Sequence, residues 1–367
     1  MKQTTAVAIS GGVDSLMAAC LLKEQGHHII GIHFVTGFET APSEGQHPNA
    51  VLAHRILDIG TQLGITVKII DIRSEFQEKI VAYFIRGYQS GRTPNPCMRC
   101  NPTIKFGTIL AHAQKLGAQK LATGHYARTK RDKSGRFHLF KGVDNKKDQS
   151  YFLARLTRRQ LASARFPLGE INKSAIKRMA EQKGLRPVTR RESQDICFIK
   201  HDSYGNFLNL QEGFEPQPGF IEDVSGRVIG EHNGLHLFTI GQRRGIDCPA
   251  AEPYYVVRLD PRRNRLIVGA KKDLLSSECR VVDINWIGEE PSAPMDIYTR
   301  VRYRSEEVAS TVLPQDKQAA IIRFKNPQPA VTPGQGAVFY RGDEVLGGGW
   351  IEESMAHGDL EDKKLIR

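Results

Sequence analysis

Three short runs of this sequence carry residue types that do chemistry. The first is Ser10-Gly11-Gly12-Val13-Asp14-Ser15. An apolar stretch precedes it, and apolar residues at helical spacing follow (Val13, Leu16, Met17, Cys20, Leu21). That order predicts strand, glycine turn, helix. Glycines let backbone N–H groups close on an anion, and a helix N-terminus adds partial positive charge. Ser10 and Ser15 add hydroxyl donors. The run is therefore built as a phosphate cradle. It lacks the terminal Gly-Lys-Ser/Thr of one phosphate loop and the Gly-x-Gly-x-x-Gly of another. The plain alternative, a turn and cap alone, fits two glycines but not the full string.

The second run is residues 91–106, where Pro94, Pro96 and Pro102 predict a stiff, non-helical loop. Within it Cys97 and Cys100 form a Cys-x-x-Cys pair at the start of a helix, beside Arg99 and Lys105. Cations and a helix N-terminus favour thiolate over thiol. A zinc site needs two further ligands at matching spacing, and no second Cys-x-x-Cys follows. The third run, 192–199, holds Cys197 on a short β-like stretch, where a lone cysteine would ordinarily be core filler. Cys20, on an apolar helix face, and Cys248 and Cys279, in β segments, carry no partner motif.

The elements that must position these runs alternate. Strand signals at 6–9, 28–34, 66–72 and 120–123 are separated by helical spacing at 49–63, 75–88 and 104–116. This rhythm predicts a doubly wound, mostly parallel α/β sheet, with ligands beyond the carboxyl ends of its strands. Between 155 and 191 eleven Lys/Arg face Glu170 and Glu181. Helical apolar spacing and one-signed charge predict a phosphate-backbone footprint rather than a solvated face. Beyond 204 the pattern turns to short strands with frequent turns, a small β domain and then a β-barrel-like one. The expected domains are 1–203, 204–273 and 274–367.

A chain of 367 residues suits two or three domains. Its net charge of +12 favours an acidic partner. Six cysteines do not make a disulfide scaffold. The expected setting is cytoplasmic, with no signal peptide and no membrane partner.

The 10–15 loop resembles the pyrophosphatase loop of enzymes that adenylate a substrate and release pyrophosphate. Further motifs follow in order: Gly91-Arg92-Thr93-Pro94-Asn95-Pro96 with Cys100-Asn101, Ala122-Thr123-Gly124-His125-Tyr126, Lys147-Asp148-Gln149-Ser150-Tyr151-Phe152, Ile196-Cys197-Phe198, Gly241-Gln242-Arg243 and Arg302-Tyr303-Arg304. Together, over nearly the whole chain, they resemble the bacterial and organellar tRNA-uridine 2-sulfurtransferases, the tRNA-specific 2-thiouridylases.

That resemblance implies an adenine nucleotide α-hydrolase-like first domain. ATP would lie on Ala8, Ile9, Ser10, Gly11, Gly12, Val13, Asp14 and Ser15, with Phe34 and Gly124 lining the adenosine pocket. Asp14 would orient magnesium–pyrophosphate or the loop. ATP would adenylate the C2 oxygen of the wobble uridine (position 34) in a tRNA anticodon stem-loop. Cys197 would carry sulfur as a persulfide, delivered by a sulfur-carrier protein or cysteine desulfurase relay. Cys100 would be the partner nucleophile, leaving a Cys100–Cys197 disulfide. Asn95, Pro96 and Cys97 would contact the flipped base, with His125 near it. Lys147, Asp148, Gln149, Arg302, Tyr303 and Gln335 would contact the tRNA.

The sequence departs from the family at three places. Cys97 stands where Asp is common, which opens a [4Fe-4S] cluster on Cys97, Cys100 and Cys197 as an alternative. Phe34 stands where Met is common. Residues 36–48 lack the acidic, Trp-containing run often found there. Two other functions stay open on the sequence alone: another adenylating enzyme with the same loop, and a non-catalytic tRNA-binding protein.

Overall fold

A computed structural model describes residues 4–39, 48–188, 196–199 and 203–356, with the side chains of 48–53 and 356 excepted. Most of the 36–48 loop, the 192–195 stretch, Arg190 and Arg191 lie outside the described residues.

In chain order the first elements are β1 (Thr4–Ala8), α1 (Val13–Glu24), β2 (His28–Val35), α2 (Pro48–Leu63), β3 (Thr66–Asp71) and α3 (Arg73–Phe76). A π-helical turn, Gln77–Val81, leads into α4 (Ala82–Gln89) and α5 (Pro96–Cys100). A second π segment, Asn101–Ile109, precedes α6 (Leu110–Lys115), β4 (Lys120–Ala122), β5 (Ala127–Arg131) and β6 (Phe137–Lys141). Then come α7 (Arg158–Ser163), β7 (Ala164–Arg165), α8 (Lys173–Gln182) and α9 (Tyr204–Asn209). The remaining strands are β8 (Gly219–Asp223), β9 (Val228–His232), β10 (Tyr255–Asp260), β11 (Arg265–Gly269), β12 (Leu275–Trp286), β13 (Met295–Arg300), β14 (Val308–Asp316), β15 (Ala319–Pro329), β16 (Gly336–Arg341) and β17 (Glu344–Ala356).

The chain divides into two compact units. The first takes residues 1–81, 97–198 and 343–346, and the second takes 82–96, 199–342 and 347–367. In the first unit the expected parallel sheet is present, in the order β3-β2-β1-β4-β7. β1 lies in the middle, and Ala6 and Val7 are fully buried, as a strand covered on both faces requires. The next strand in the chain, β2, pairs on one side of β1, and β4 pairs on the other. The sheet order therefore reverses at β1, and ligands bind beyond the strand ends at such a point. The 10–15 run starts two residues past the end of β1. A core of Val7, Ile9, Leu16, Met17, Leu22, Ile56, Ile59 and Ile176 fixes α1, α2 and α8 to the sheet.

In the second unit, β10-β11-β8-β9 form a small sheet over Ile221, Phe238, Val256, Leu266 and Val268. Strands β12, β15, β14, β13, β16 and β17 run in that order, and β12 pairs back onto β17 to close a barrel. The α/β domain followed by two β domains is the fold class expected from the sequence.

Several local expectations need correction. The helices expected at 75–88 and 104–116 are interrupted by the two π segments, because apolar spacing alone does not separate 3.6 residues per turn from a wider one. Residues 91–106 are not a loop throughout. Helix begins at Pro96, and proline is tolerated at a first helical position because its missing N–H would be unpaired there anyway. Cys197 sits in a turn, not on a strand. The strand expected at 298–303 ends at Arg300. The β5–β6 hairpin and the two-residue β7 inside the basic run carried too little alternation to be read.

Candidate functional site

The phosphate loop is tied to itself. The Ser10 N–H donates to Ser15 Oγ at 3.2 Å, and Ser15 Oγ–H donates to the Gly12 carbonyl at 2.9 Å. Gly11 has φ +85, which an L side chain rarely adopts, and a Cβ there would meet Val188 at 3.2 Å. The glycine is needed for both reasons.

The loop after β4 presses on this cradle. A Cβ on Gly124 would fall 2.9 Å from the Asp14 carbonyl carbon and 3.1 Å from the Ser15 nitrogen. Two residues on, the Tyr126 hydroxyl donates to Asp14 Oδ1 at 2.8 Å. Lys173, at the start of α8, donates to both Asp14 oxygens at 2.6 Å. Its ammonium also lies 5.7 Å from the Tyr126 ring centroid. Lys173 is only 6% exposed. Sequence reasoning counted it among the cations facing RNA. Its place directly after Asn172, at a helix start, was the one available signal. Phe34, half-buried, stands near the carboxyl end of β2, next to His33. His33 is buried and its Nδ1 bonds the Ile9 carbonyl at 2.8 Å.

The other face of the 123–126 loop meets the cysteines' helix. His125 is buried, with Nδ1 2.6 Å from Thr123 Oγ1 and Nε2 3.2 Å from Lys105 Nζ. An ammonium has only protons to donate, so Nε2 accepts from Lys105 and the proton sits on Nδ1, facing Thr123. Burial first, then the Lys105 charge, hold the imidazole neutral, well below its ordinary pKa.

Lys105 is five residues after Cys100, across a π segment whose wider turn stacks i and i+5. It acts on both thiols of the Cys-x-x-Cys pair. Burial pushes the Cys97 thiol up to about 11 and the Cys100 thiol up to about 12; Cys197 adds to both rises and Lys105 opposes them. The thiolate expected from neighbouring cations is therefore overruled by desolvation. Cys97, Cys100 and Cys197 thus lie within electrostatic reach of one another. Cys197 is exposed, while Phe198 beside it is buried in a triangle with Phe38 and Phe76, centroids 5.7 to 5.9 Å apart. Among the described residues Cys100 and Cys197 carry separate thiols rather than the implied disulfide. Among the described residues no three His, Cys, Asp or Glu side chains assemble to hold a metal, so the iron–sulfur reading finds no ligand set.

The remaining motif and expected contact residues distribute as follows. Asn101, 2% exposed, donates to the Cys97 and Phe152 carbonyls at 3.1 and 3.0 Å. Asp148 is buried and accepts from the Gly142 and Ser150 N–H groups and the Ser150 hydroxyl. Gln149 accepts from the Tyr126 N–H at 3.0 Å. Gln149 thereby braces the 123–126 loop, Asp148 ties Gly142 to Ser150, and Lys147 is half-buried beside them. In the second unit, Asn95 is buried, and Gln335 donates to the Thr93 carbonyl at 3.0 Å, bracing the run that leads to Pro96. Arg302 is exposed and Tyr303 half-buried in the turn after β13.

In the first unit a path thus runs from the phosphate loop toward the thiols: Gly124 packs beside Ser15, His125 bonds Lys105, and the Lys105 charge acts on Cys100. Fold and site together define a class, a nucleotide-binding α/β enzyme domain with a thiol centre one loop away from its phosphate cradle.

Comparison with known proteins narrows the class. The "tRNA methyl transferase HUP domain" model matches residues 3–201, its PRC-barrel domain model matches 206–270, and an aminomethyltransferase beta-barrel domain model matches 276–351. The tRNA-specific 2-thiouridylase MnmA of Desulfosudis oleivorans is 48% identical over 346 residues, 94% of each chain. That of Synechocystis is 44% identical over 96% of this chain and 97% of its own. That of Geobacter metallireducens is 42% identical over 97% and 99%. The chain belongs to the tRNA-specific 2-thiouridylase family.

Proposed function

We infer that this chain uses ATP to replace the C2 oxygen of a tRNA uridine, at the wobble position, with sulfur. A ring carbonyl oxygen leaves poorly, so activation comes first. The C2 oxygen attacks the α-phosphorus of ATP, the bond to the bridging oxygen breaks, and pyrophosphate leaves. Ser10 to Ser15 cradle the phosphates, and Asp14 would hold a magnesium ion that offsets their charge. Phe34 and Gly124 flank the adenosine.

Sulfur then arrives as a Cys197 persulfide. Cys197 is exposed, which suits loading by a sulfur carrier or a cysteine desulfurase relay. The Cys100 thiolate attacks the Cys197 sulfur, and the S–S bond breaks. The electron pair leaves on the terminal sulfur, which displaces AMP at C2. Cys100 and Cys197 end as a disulfide, which a cellular thiol reductant reopens. Burial keeps Cys100 mostly protonated and out of solvent, and Lys105 is the cation that stabilises its thiolate.

The target base must leave the anticodon stack to reach such a site. Asn95, Pro96 and Cys97 meet it in this reading, and exposed Arg158, Arg159, Lys177 and Arg178 meet the backbone. Lys147, Arg302 and Tyr303 extend the contact. Buried His125 and Asp148 act from inside, as props, while half-buried Gln149 and Gln335 remain contacts to the tRNA in this reading.

What supports the reading is the loop of Gly124 and His125, which packs on the phosphate cradle and bonds Lys105 in the segment after Cys100, in a chain 48% identical to a 2-thiouridylase. The test is pyrophosphate release from ATP with and without unmodified tRNA. Release that needs tRNA supports the reading. Release without tRNA would point to another adenylating enzyme, and none at all to a tRNA binder.

A further inference from the structure

The phosphate loop has no lysine of its own, yet the fold brings one to it. Lys173 reaches Asp14 from 159 residues away with both Nζ–O distances at 2.6 Å. It is almost fully buried, and its backbone N–H is fixed by Asp144 Oδ2 at 3.0 Å. A buried lysine costs desolvation unless paired, so its placement needs a reason.

Holding Asp14 does not supply that reason. Tyr126 already donates to Oδ1 at 2.8 Å, and Gly124 packs on the Asp14 backbone. Asp14, by contrast, keeps a third of its side chain exposed at the mouth of the cradle. The ammonium is therefore held, through Asp14, against a loop that also carries the hydroxyls of Ser10 and Ser15. A cation there faces the part of the cradle where bound phosphates carry most charge.

We propose that Lys173 binds the β- and γ-phosphates of ATP and stabilises the pyrophosphate as it leaves. In the nucleotide-free protein Asp14 keeps the ammonium in place. Asp14 would also be the carboxylate for a magnesium ion accompanying ATP, and engaging it there would free the Lys173 ammonium for the phosphates. As the α–β P–O bond breaks, negative charge grows on the departing oxygen, and a fixed ammonium acts on that charge most strongly in a site shielded from water. This proposal rests on the ATP reading above.

The test is equilibrium binding of Mg–ATP, Mg–pyrophosphate and AMP to the full-length protein and to Lys173→Met and Lys173→Gln. AMP shares the adenosine and α-phosphate but lacks the leaving group. Each variant should bind ATP and pyrophosphate about tenfold or more weakly, as loss of a charge-assisted contact does, while AMP affinity stays within about twofold. Lys173→Arg should restore part of the loss. Equal loss for AMP would mean that Lys173 only shapes the loop, and would overturn the proposal. So would unchanged ATP and pyrophosphate binding. Wild-type protein that binds AMP, pyrophosphate and ATP not at all would defeat the ATP reading itself.

Discussion

Cys100 shows how burial and charge compete at one atom. Its helix and its cationic neighbours were legible in the sequence and favour thiolate. Its burial was not, and burial wins: the thiol is pushed up to about 12. Raising pH therefore increases thiolate through the whole accessible range, and at pH 8 it is about a thousandfold scarcer than in an unshifted cysteine. Iodoacetamide at pH 8 should label exposed Cys197 well before Cys97 or Cys100, read by peptide mass spectrometry. Lys105→Met should slow Cys100 labelling further. Faster labelling of Cys100 than of Cys197 would contradict this account. Lys173 and His125 teach the converse lesson. One stood in a basic run and the other in a motif, and their true neighbours, Asp14 and Lys105, lie 159 and 20 residues away.

Two elements translate those residues into a site. The turn after β4 touches the phosphate loop through Gly124 and the cysteines' helix through His125. Gly124→Ala would drive a methyl group into the Asp14 backbone. It should cost about 1–3 kcal/mol of stability, read by chemical denaturation, and weaken ATP binding more than a surface glycine change such as Gly117→Ala. The second element is α7. Thr157 and Gln160 cap its start reciprocally, and the Gln160 amide also donates to the Pro102 and Phe106 carbonyls at 2.7 and 3.0 Å. The basic helix is thereby fixed to the π segment that follows Cys100. Reversing Arg158 and Arg159 to Glu should weaken tRNA binding and flatten its dependence on salt, measured by filter binding across ionic strength. An unchanged slope would mean that these side chains only solvate the helix. The strand–turn–helix at the loop was readable because glycine and apolar spacing agree there. The π segments were not, because their apolar positions also fit an α-helix, and β7 was not, because two residues hold no period.

At the scale of the whole chain, histidines are buried in both units. His33 and His125 lie in the first, His232 and His236 in the second, and burial is the main cause lowering each pKa. The unfolded chain then binds more protons than the folded one below about pH 6.5. Stability from these groups is complete above that pH and is lost as pH falls toward the folded values. Thermal unfolding between pH 7.5 and 5 should show a falling Tm. A flat profile would mean that the imidazoles reach water. The domain order was legible from the change of rhythm near residue 204. Closure of the barrel was not, since pairing of β12 with β17 joins strands with most of the barrel between them in sequence.

The central claim is that the phosphate loop and the paired thiols serve one reaction on RNA. Incubating the protein with ATP, magnesium, a sulfide source and unmodified tRNA, then digesting the tRNA for mass spectrometry, tests it most directly. The account predicts 2-thiouridine at the wobble position, dependent on ATP. With persulfide as donor in place of sulfide, Cys197→Ser should abolish the product while ATP binding persists. Wild-type protein that leaves the uridine unchanged, or Cys197→Ser protein that thiolates at full rate from persulfide, would contradict it.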